Sequence, residues 1–131
     1  MSAGYSGRKL ADKLGLKPGL RAWRVNMPAS VATELGGAWL AAPEPGLDFA
    51  FVSTASRAEL EALVAELRPL LAPAGMIWVS WPKKASKVAT DITEDVVREV
   101  ALPHGLVDVK VCAVDETWSG LKLVIRKALR E

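Results

Sequence analysis

Lysine and tryptophan side chains suited to binding gather in one short stretch, residues 81–87. Trp81 ends an apolar run, and Lys83, Lys84 and Lys87 follow it in a loop. Clustered ammonium groups attract phosphate or carboxylate groups. The free N–H groups of a helix expected to begin near Thr93 would attract them too. The stretch therefore predicts a site for a small anion.

The acidic residues that follow this loop allow a second interpretation. Asp91, Glu94 and Asp95 lie close behind the lysines in the chain. Surface loops are commonly polar without binding anything. In this interpretation the lysines are solvated and the three carboxylates balance their charge.

A second group of candidate residues lies farther along the chain, at Asp115, Glu116 and Trp118. A large aromatic side chain in a turn is costly unless it packs, stacks on a ligand or meets a partner. Trp118 is therefore either a cap on the core or a binding residue, whereas Trp81 is expected to pack in the core. Asp115 and Glu116 could pair with the lysine loop or act as a base, although turn formation is the simpler role for Asp115.

The chain offers little of the usual chemistry of catalysis. It has one cysteine, Cys112, within a predicted strand, and one histidine, His104, in a turn expected at the opposite edge of the sheet. This composition predicts no disulfide and no zinc site. No nucleophile with a base and an orienting group can be assembled either. We therefore expect no metal, no cofactor and no catalytic residue.

Hydrophobic periodicity predicts strands alternating with helices. Ser56 and Glu59 fit a capping box at the start of the clearest helix, whose inward stripe includes Leu60, Leu63 and Leu67 and which should bend near Leu67, before Pro69. The predicted strands are 20–27, 47–53, 75–81, 106–114 and 121–127, with 38–42 as a short edge strand, and the other helices are 6–15, 29–35 and 93–103. This pattern predicts an α/β three-layer sandwich whose mostly parallel sheet ends in an antiparallel hairpin.

The predicted topology brings distant loops to one edge of the sheet. Ligands of such sheets gather at the carboxyl ends of the parallel strands, where residues 26–30, 53–57, 81–93 and 115–120 should meet. Trp81, Lys83, Lys84, Asp115 and Trp118 should therefore lie together. The last strand, Leu121 to Lys127, is expected to be an open edge through which a homodimer could form.

The length, composition and net charge of the chain argue against several classes of protein. With 131 residues, 50% of them hydrophobic and 24% charged, the chain fits one globular domain, 1–131, with residues 1–5 flexible. A net charge of +2 is too small to indicate a nucleic-acid partner. No apolar run approaches the roughly 20 residues of a membrane-spanning helix, and no signal-peptide core is present. A cytoplasmic protein is therefore expected.

Several segments carry a resemblance to known families. The order of helix, KPG turn, strand, leucine-rich helix, strand, helix and final hairpin resembles a trimmed class I S-adenosylmethionine-dependent methyltransferase, with a Rossmann-like sheet. The segments WPKKAS, TDITED, LVDVKVC and DETWSGLK also resemble a small bacterial family known only as a domain of unknown function. The resemblance implies a fold and no particular activity.

Two departures from the methyltransferase pattern bear on function. In that family the first strand ends in an acidic residue and a glycine-rich turn that admits the cofactor, but here Val25 is followed by Asn26, Met27 and Pro28. The acidic residue that would bind the ribose is missing or reduced to Glu44. The resemblance then implies a non-catalytic binding or regulatory module for a small anion or a protein, with a divergent enzyme such as a degenerate methyltransferase as the alternative.

Overall fold

The structure, a computed structural model, describes residues 9–130 and is built on one five-stranded sheet. The strands are β1 Ala22–Val25, β2 Leu47–Ser53, β3 Leu71–Pro82, β4 Leu106–Ala113 and β5 Trp118–Ile125. Their order across the sheet is β1-β2-β3-β5-β4. The first three strands are parallel, and β5 runs antiparallel to both of its neighbours, β3 and β4. The predicted mostly parallel sheet with a terminal hairpin is confirmed.

Helices cover both faces of this sheet. They are α1 Leu10–Leu14, α2 Ala29–Leu35, α3 Arg57–Leu67 and α4 Glu94–Ala101. On what we call the first face, α1 and α2 pack on a cluster that includes Phe49, Phe51 and Trp78. On the second face, α3 and α4 pack on a cluster that includes Val52 and Ile77. The result is the predicted α/β three-layer sandwich.

Side-chain caps set the starts of the two longer helices. Ser56 Oγ accepts a hydrogen bond from Glu59 N (3.2 Å), and Thr93 Oγ1 accepts one from Val96 N (3.2 Å). Helix α3 ends at Leu67 and continues as a short 3₁₀ turn that contains Pro69, as the sequence predicted. The predicted cap at Ser6 and the flexible residues 1–5 lie outside the described residues.

Residues 38–42 do not form the predicted edge strand. The backbone hydrogen bond that joins them to β1 runs from Leu40 N to Ala22 O (2.8 Å). Trp39 packs on the first face and Leu40 on the second, which is the alternation of a strand. The chain bends at residues 41–42, however, and this single backbone bond does not extend into a ladder with β1.

The prediction that Leu121 to Lys127 forms an open edge is wrong. Strand β5 is hydrogen-bonded to β3 on one side and to β4 on the other, so its backbone offers no free edge for a dimer. The outer strand next to it is β4. Hairpin strands need not stay at the edge in sequence order, because the second strand can insert beside an earlier one.

A bulge at Val109 interrupts the outer strand β4. The register pairs Asp108 with Leu123 and Lys110 with Lys122, which leaves Val109 as the extra residue. Asp108 lies before the bulge and two residues after Leu106, so it faces α4, where Arg98 Nε donates to it (3.0 Å). The regular alternation expected for β4 is broken, and a bulged edge strand is a poor template for pairing with another chain.

Candidate anion-binding cleft

The loops that follow the strands meet at the carboxyl edge of the sheet. Lys83 N donates to Thr117 O (2.7 Å), which joins the loop after β3 to the β4–β5 turn. Asp91 N donates to Ala55 O (3.3 Å), which joins the same loop to the start of α3. The predicted convergence of these loops at one edge of the sheet is therefore correct, although the predicted position of the last strand is not.

The sheet nevertheless separates the two candidate tryptophans. Trp81 pairs with Ser119 and packs into the second face, whereas Trp118 pairs with Pro82 and packs against the first face. Trp81 is only 6% exposed, and Trp118 is half-buried. The expected single group is thus divided between two faces.

A cleft of about 560 Å³ opens on the second face, between the loop after β3 and the start of α4. Its floor is Trp81, and its rim carries Lys83, Lys84 and Lys87. The remaining lining residues are Pro82, Val88, Ala89, Thr90, Ile92, Thr93, Glu94 and Ser119. Four of the predicted site residues line this cleft, and Asp115, Glu116 and Trp118 are not among its lining residues.

Local hydrogen bonds hold the lysine loop in shape. Ser86 Oγ donates to Lys83 O (2.6 Å), and Lys87 N donates to Lys84 O (3.1 Å) across a 3₁₀ turn. Lys87 itself has a left-handed backbone, with φ 63°. The three ammonium groups therefore project from a defined turn.

The acidic residues near the loop are engaged elsewhere. Asp91 Oδ1 accepts from Arg57 N (2.7 Å), at the start of α3. Glu94 and Asp95 both form ion pairs with Arg98, the second at 3.0 Å. The pKa of Arg98 is raised above the ordinary arginine value, mainly by its hydrogen bond with Glu94 and next by that with Asp108. These contacts disfavour the interpretation in which the three carboxylates balance the lysine loop.

The cleft lysines have no acidic partner of their own. Ion pairs between residues 9–130 use Arg21, Arg57 and Arg98 as their cations, and Lys83, Lys84 and Lys87 take part in none. Three positive charges therefore remain at the rim without a neutralising contact. They are available to an anion from solution.

The indole N–H of Trp81 is a further free donor. The indole nitrogens of Trp78 and Trp39 donate to Leu14 O (2.7 Å) and to Gly36 O (2.8 Å). Trp81 has no such acceptor within residues 9–130. The residue is 6% exposed, and its indole nitrogen is not among the buried atoms without a partner, so the N–H is reached by solvent from the cleft. A ligand in the cleft could supply that acceptor.

Asp115 has the turn-forming role that was the simpler expectation. Its Oδ1 accepts from Thr117 N (2.8 Å) and Trp118 N (2.7 Å), and its Oδ2 accepts from Ser30 Oγ (3.2 Å). Glu116 is exposed. Within the described chain neither carboxylate forms an ion pair with the lysine loop, so the expected pairing across the edge is not present. The Asp115 carboxylate links the hairpin turn to α2 instead.

The end of β1 is closed by its own side chains. Asn26 has a left-handed backbone, with φ 55°, and makes the turn that a glycine would make more readily. Arg24 Nη1 donates to Met27 Sδ (3.6 Å), and the Arg24 guanidinium lies 4.9 Å from the centre of the Trp39 ring. These side chains occupy the first face beside the strand end.

Glu44 lies at the other end of β1. Its carboxylate pairs with Arg21 (3.1 Å), which immediately precedes the strand. Within residues 9–130 no strand lies beyond β1, and residues 38–42 take that position. Glu44 is therefore not placed to act as the ribose-binding carboxylate that the resemblance suggested.

Sequence reasoning missed a pair of buried hydroxyl groups. Ser53 and Ser80 are partners in the register of β2 and β3 near the carboxyl edge, and neither hydroxyl has a hydrogen-bond partner in the described structure. A lone serine near the end of each of two apolar strands was the available signal. Ser53 lies two residues after Phe51, and Ser80 lies two residues after Trp78. Both serines therefore share the first face with these residues, opposite the cleft.

Other candidate features carry no site. Cys112 is buried and its thiol donates to Ala113 O (3.3 Å), while His104 lies at the amino end of β4. No group of three or more His, Cys, Asp or Glu residues within 9–130 could hold a metal ion. No helix in that range is long and apolar enough to cross a membrane.

Comparisons with known proteins support the fold. No protein-family model matches the chain, and no curated protein sequence does. The structure resembles LepI in complex with SAM, with a TM-score of 0.57 and 11% identity over 89% of this chain and 39% of LepI. It also resembles a putative type 11 methyltransferase from Sulfolobus solfataricus (TM-score 0.57, 12% identity, 86% of this chain and 75% of that one). The magnesium protoporphyrin IX methyltransferase of Synechocystis PCC 6803, solved with bound SAH, has a TM-score of 0.51 and 12% identity over 67% of this chain and 50% of its own.

These likenesses identify the sheet as methyltransferase-like. At 11 or 12% identity they indicate the fold and not the activity. The chain spans less than half the length of LepI. With no matching family model, the resemblance to a small bacterial family stays a prediction.

Proposed function

We propose that this chain is a non-catalytic binding or regulatory module whose cleft holds a small anionic ligand. The observation that carries the proposal is the unpaired state of Lys83, Lys84 and Lys87 above the nearly buried Trp81. Within residues 9–130, Arg21, Arg57 and Arg98 form ion pairs with carboxylates, whereas these three lysines do not. Charges left free around an apolar floor fit a role in recognition.

The proposal extends to the setting of the protein. We propose a single cytoplasmic domain of bacterial origin. One sheet organises residues 9–130, which supports a single domain, and the bacterial origin rests on the segments that resemble the small bacterial family. The alternative ligand is a protein partner, which would present an acidic side chain to the same lysines. A homodimer, if one forms, would have to use a surface other than β5.

The test compares the native chain with Lys83→Ala/Lys84→Ala/Lys87→Ala. Thermal unfolding is measured with a series of organic and inorganic anions at fixed ionic strength, because salt screens exposed charges. An anion at about 100 times its Kd adds about 2.7 kcal/mol to the free energy of unfolding. We expect this stabilisation in the native chain and its loss in the triple variant.

A second triple variant controls for net charge. Lys9→Ala/Arg126→Ala/Lys127→Ala removes the same charge from exposed positions that do not line the cleft. It should respond to anions as the native chain does. If all three proteins respond equally, binding does not depend on the cleft and the proposal is wrong.

A divergent methyltransferase is the alternative that the fold favours. We expect S-adenosylmethionine not to bind, because Met27, Arg24 and Trp39 occupy the space beside the end of β1. Isothermal titration calorimetry with millimolar cofactor checks this. A clear micromolar dissociation constant would favour the enzyme over the binding module.

A further inference from the structure

The cleft presents donors and positive charge, with few acceptors. Lysine ammonium groups and an indole N–H donate hydrogen bonds and accept none. The one carboxylate in the lining, Glu94, is already bound by Arg98. A ligand group that satisfies this set must therefore consist of acceptors and carry negative charge.

The start of α4 adds a backbone donor to the same side of the cleft. Val96 N is taken by Thr93 Oγ1 (3.2 Å) and Val97 N by Thr93 O (3.1 Å). The N–H group of Glu94 is left without an acceptor among the described residues. Glu94 lines the cleft, so this donor lies at its wall.

The volume and the walls exclude a bare inorganic ion as the best fit. Pockets for organic ligands span roughly 300 to 1,000 Å³, and this cleft has about 560 Å³. Apart from the tryptophan floor, its walls include Pro82, Val88, Ala89 and Ile92. A ligand that fills the cleft needs an apolar body as well as a charged group.

We infer that the ligand class is a phosphate monoester attached to an apolar or aromatic group, an inference that rests on the proposed function. A monoester has three acceptor oxygens and a charge of about −1.5 to −2 at neutral pH. A carboxylate has two oxygens and one charge. Three lysines, an indole N–H and the backbone amide of Glu94 match the phosphate better. The apolar body lies over Trp81.

The experiment uses four small probes with the full chain. Isothermal titration calorimetry is run with phenyl phosphate, benzoate, phenol and inorganic phosphate at one ionic strength. We expect phenyl phosphate to bind at least about tenfold more tightly than each of the others, because only it supplies both parts. Lys83→Ala/Lys84→Ala/Lys87→Ala should lose this binding, and Lys9→Ala/Arg126→Ala/Lys127→Ala should keep it.

Trp81→Phe tests the floor separately. It keeps a ring in the core and removes the indole N–H, which is proposed to donate to the phosphate group, so phenyl phosphate and inorganic phosphate should both bind several-fold more weakly. Circular dichroism and urea unfolding establish that the variant is folded before its affinity is compared. An unchanged affinity for phenyl phosphate in the folded variant would remove the indole from the proposed site.

The outcomes separate this inference from the proposed function. If benzoate binds as tightly as phenyl phosphate and both depend on the cleft lysines, the cleft is a general anion site. The phosphate class is then wrong while the proposed function holds. If no probe binds in a way that depends on these lysines, the inference fails. The proposed function itself fails only if the broader anion series also shows no dependence on the cleft lysines.

Discussion

Replacement of Trp78 by alanine is expected to lower the free energy of unfolding by about 3 to 5 kcal/mol. The side chain is fully buried at the centre of the first face. Its indole nitrogen also donates to Leu14 O (2.7 Å), which ties α1 to the sheet. Alanine would leave both a cavity and a buried carbonyl without its donor.

Trp118→Ala is the matched control for this prediction. Trp118 packs on the same face but is half-buried, and its indole makes no hydrogen bond within residues 9–130. Its loss should cost clearly less. Urea unfolding followed by circular dichroism gives both values, provided the slopes agree. Equal losses would mean that Trp118 is a core residue in the same sense as Trp78.

The elements whose pattern is local were predictable from the sequence. Ser56 begins α3 because its hydroxyl can accept from the N–H three residues later, and Pro69 ends regular helix because its ring cannot continue it. Both effects depend on a few adjacent residues. The bounds of β2 and α2 followed from the same kind of signal.

The position of β5 could not be predicted in this way. Nothing in an alternating strand states whether it lies outside or between its neighbours, because either position buries one face. The bulge at Val109 is similar: it reverses the faces of later residues in β4 and depends on the register with β5. Such features are set by the whole sheet.

The sequence predicted that the candidate residues share one edge of the sheet, but it did not predict that they lie on two faces. Topology alone brings Lys83 and Thr117 together. The face of each tryptophan depends on register, which pairs Trp81 with Ser119 and Trp118 with Pro82. A shift of one residue would place Trp118 opposite Trp81, on the same face. Register therefore decides which of these side chains lie on one face of the sheet.

Two features of the structure support placing the proposed site at the end of β3 and not at the end of β1. Arg24, Met27 and Trp39 close the end of the first strand, where a methyltransferase-like sheet would admit its cofactor. The end of β3 stays open, since the loop after it stands away from α4 and leaves the cleft between them. A change of ligand on the same scaffold is consistent with both features.

The second large effect is expected in α3, where Leu67→Ala should lower the free energy of unfolding by about 2 to 5 kcal/mol. From the sequence, Leu63 and Leu67 were predicted to lie on the same inward face of α3, with no difference in burial. In the structure Leu67 is fully buried beneath the helix end, whereas Leu63 is half-buried at the border of the same cluster. A cavity beneath Leu67 cannot be filled from solvent, but the space left by Leu63 can.

Leu63→Ala is therefore the control, with the same chemical change four residues earlier in the same helix. Both variants make the same small change in helix propensity, so the difference between them measures burial. We expect Leu63→Ala to cost less than half as much, by chemical denaturation with equal slopes. Equal costs would contradict the docking of α3 seen here. A cost below about half a kilocalorie per mole for Leu67→Ala would mean that the end of α3 is not packed on the second face. Strand β3, which leads to the cleft, would then lack the packing of that helix end against its sheet.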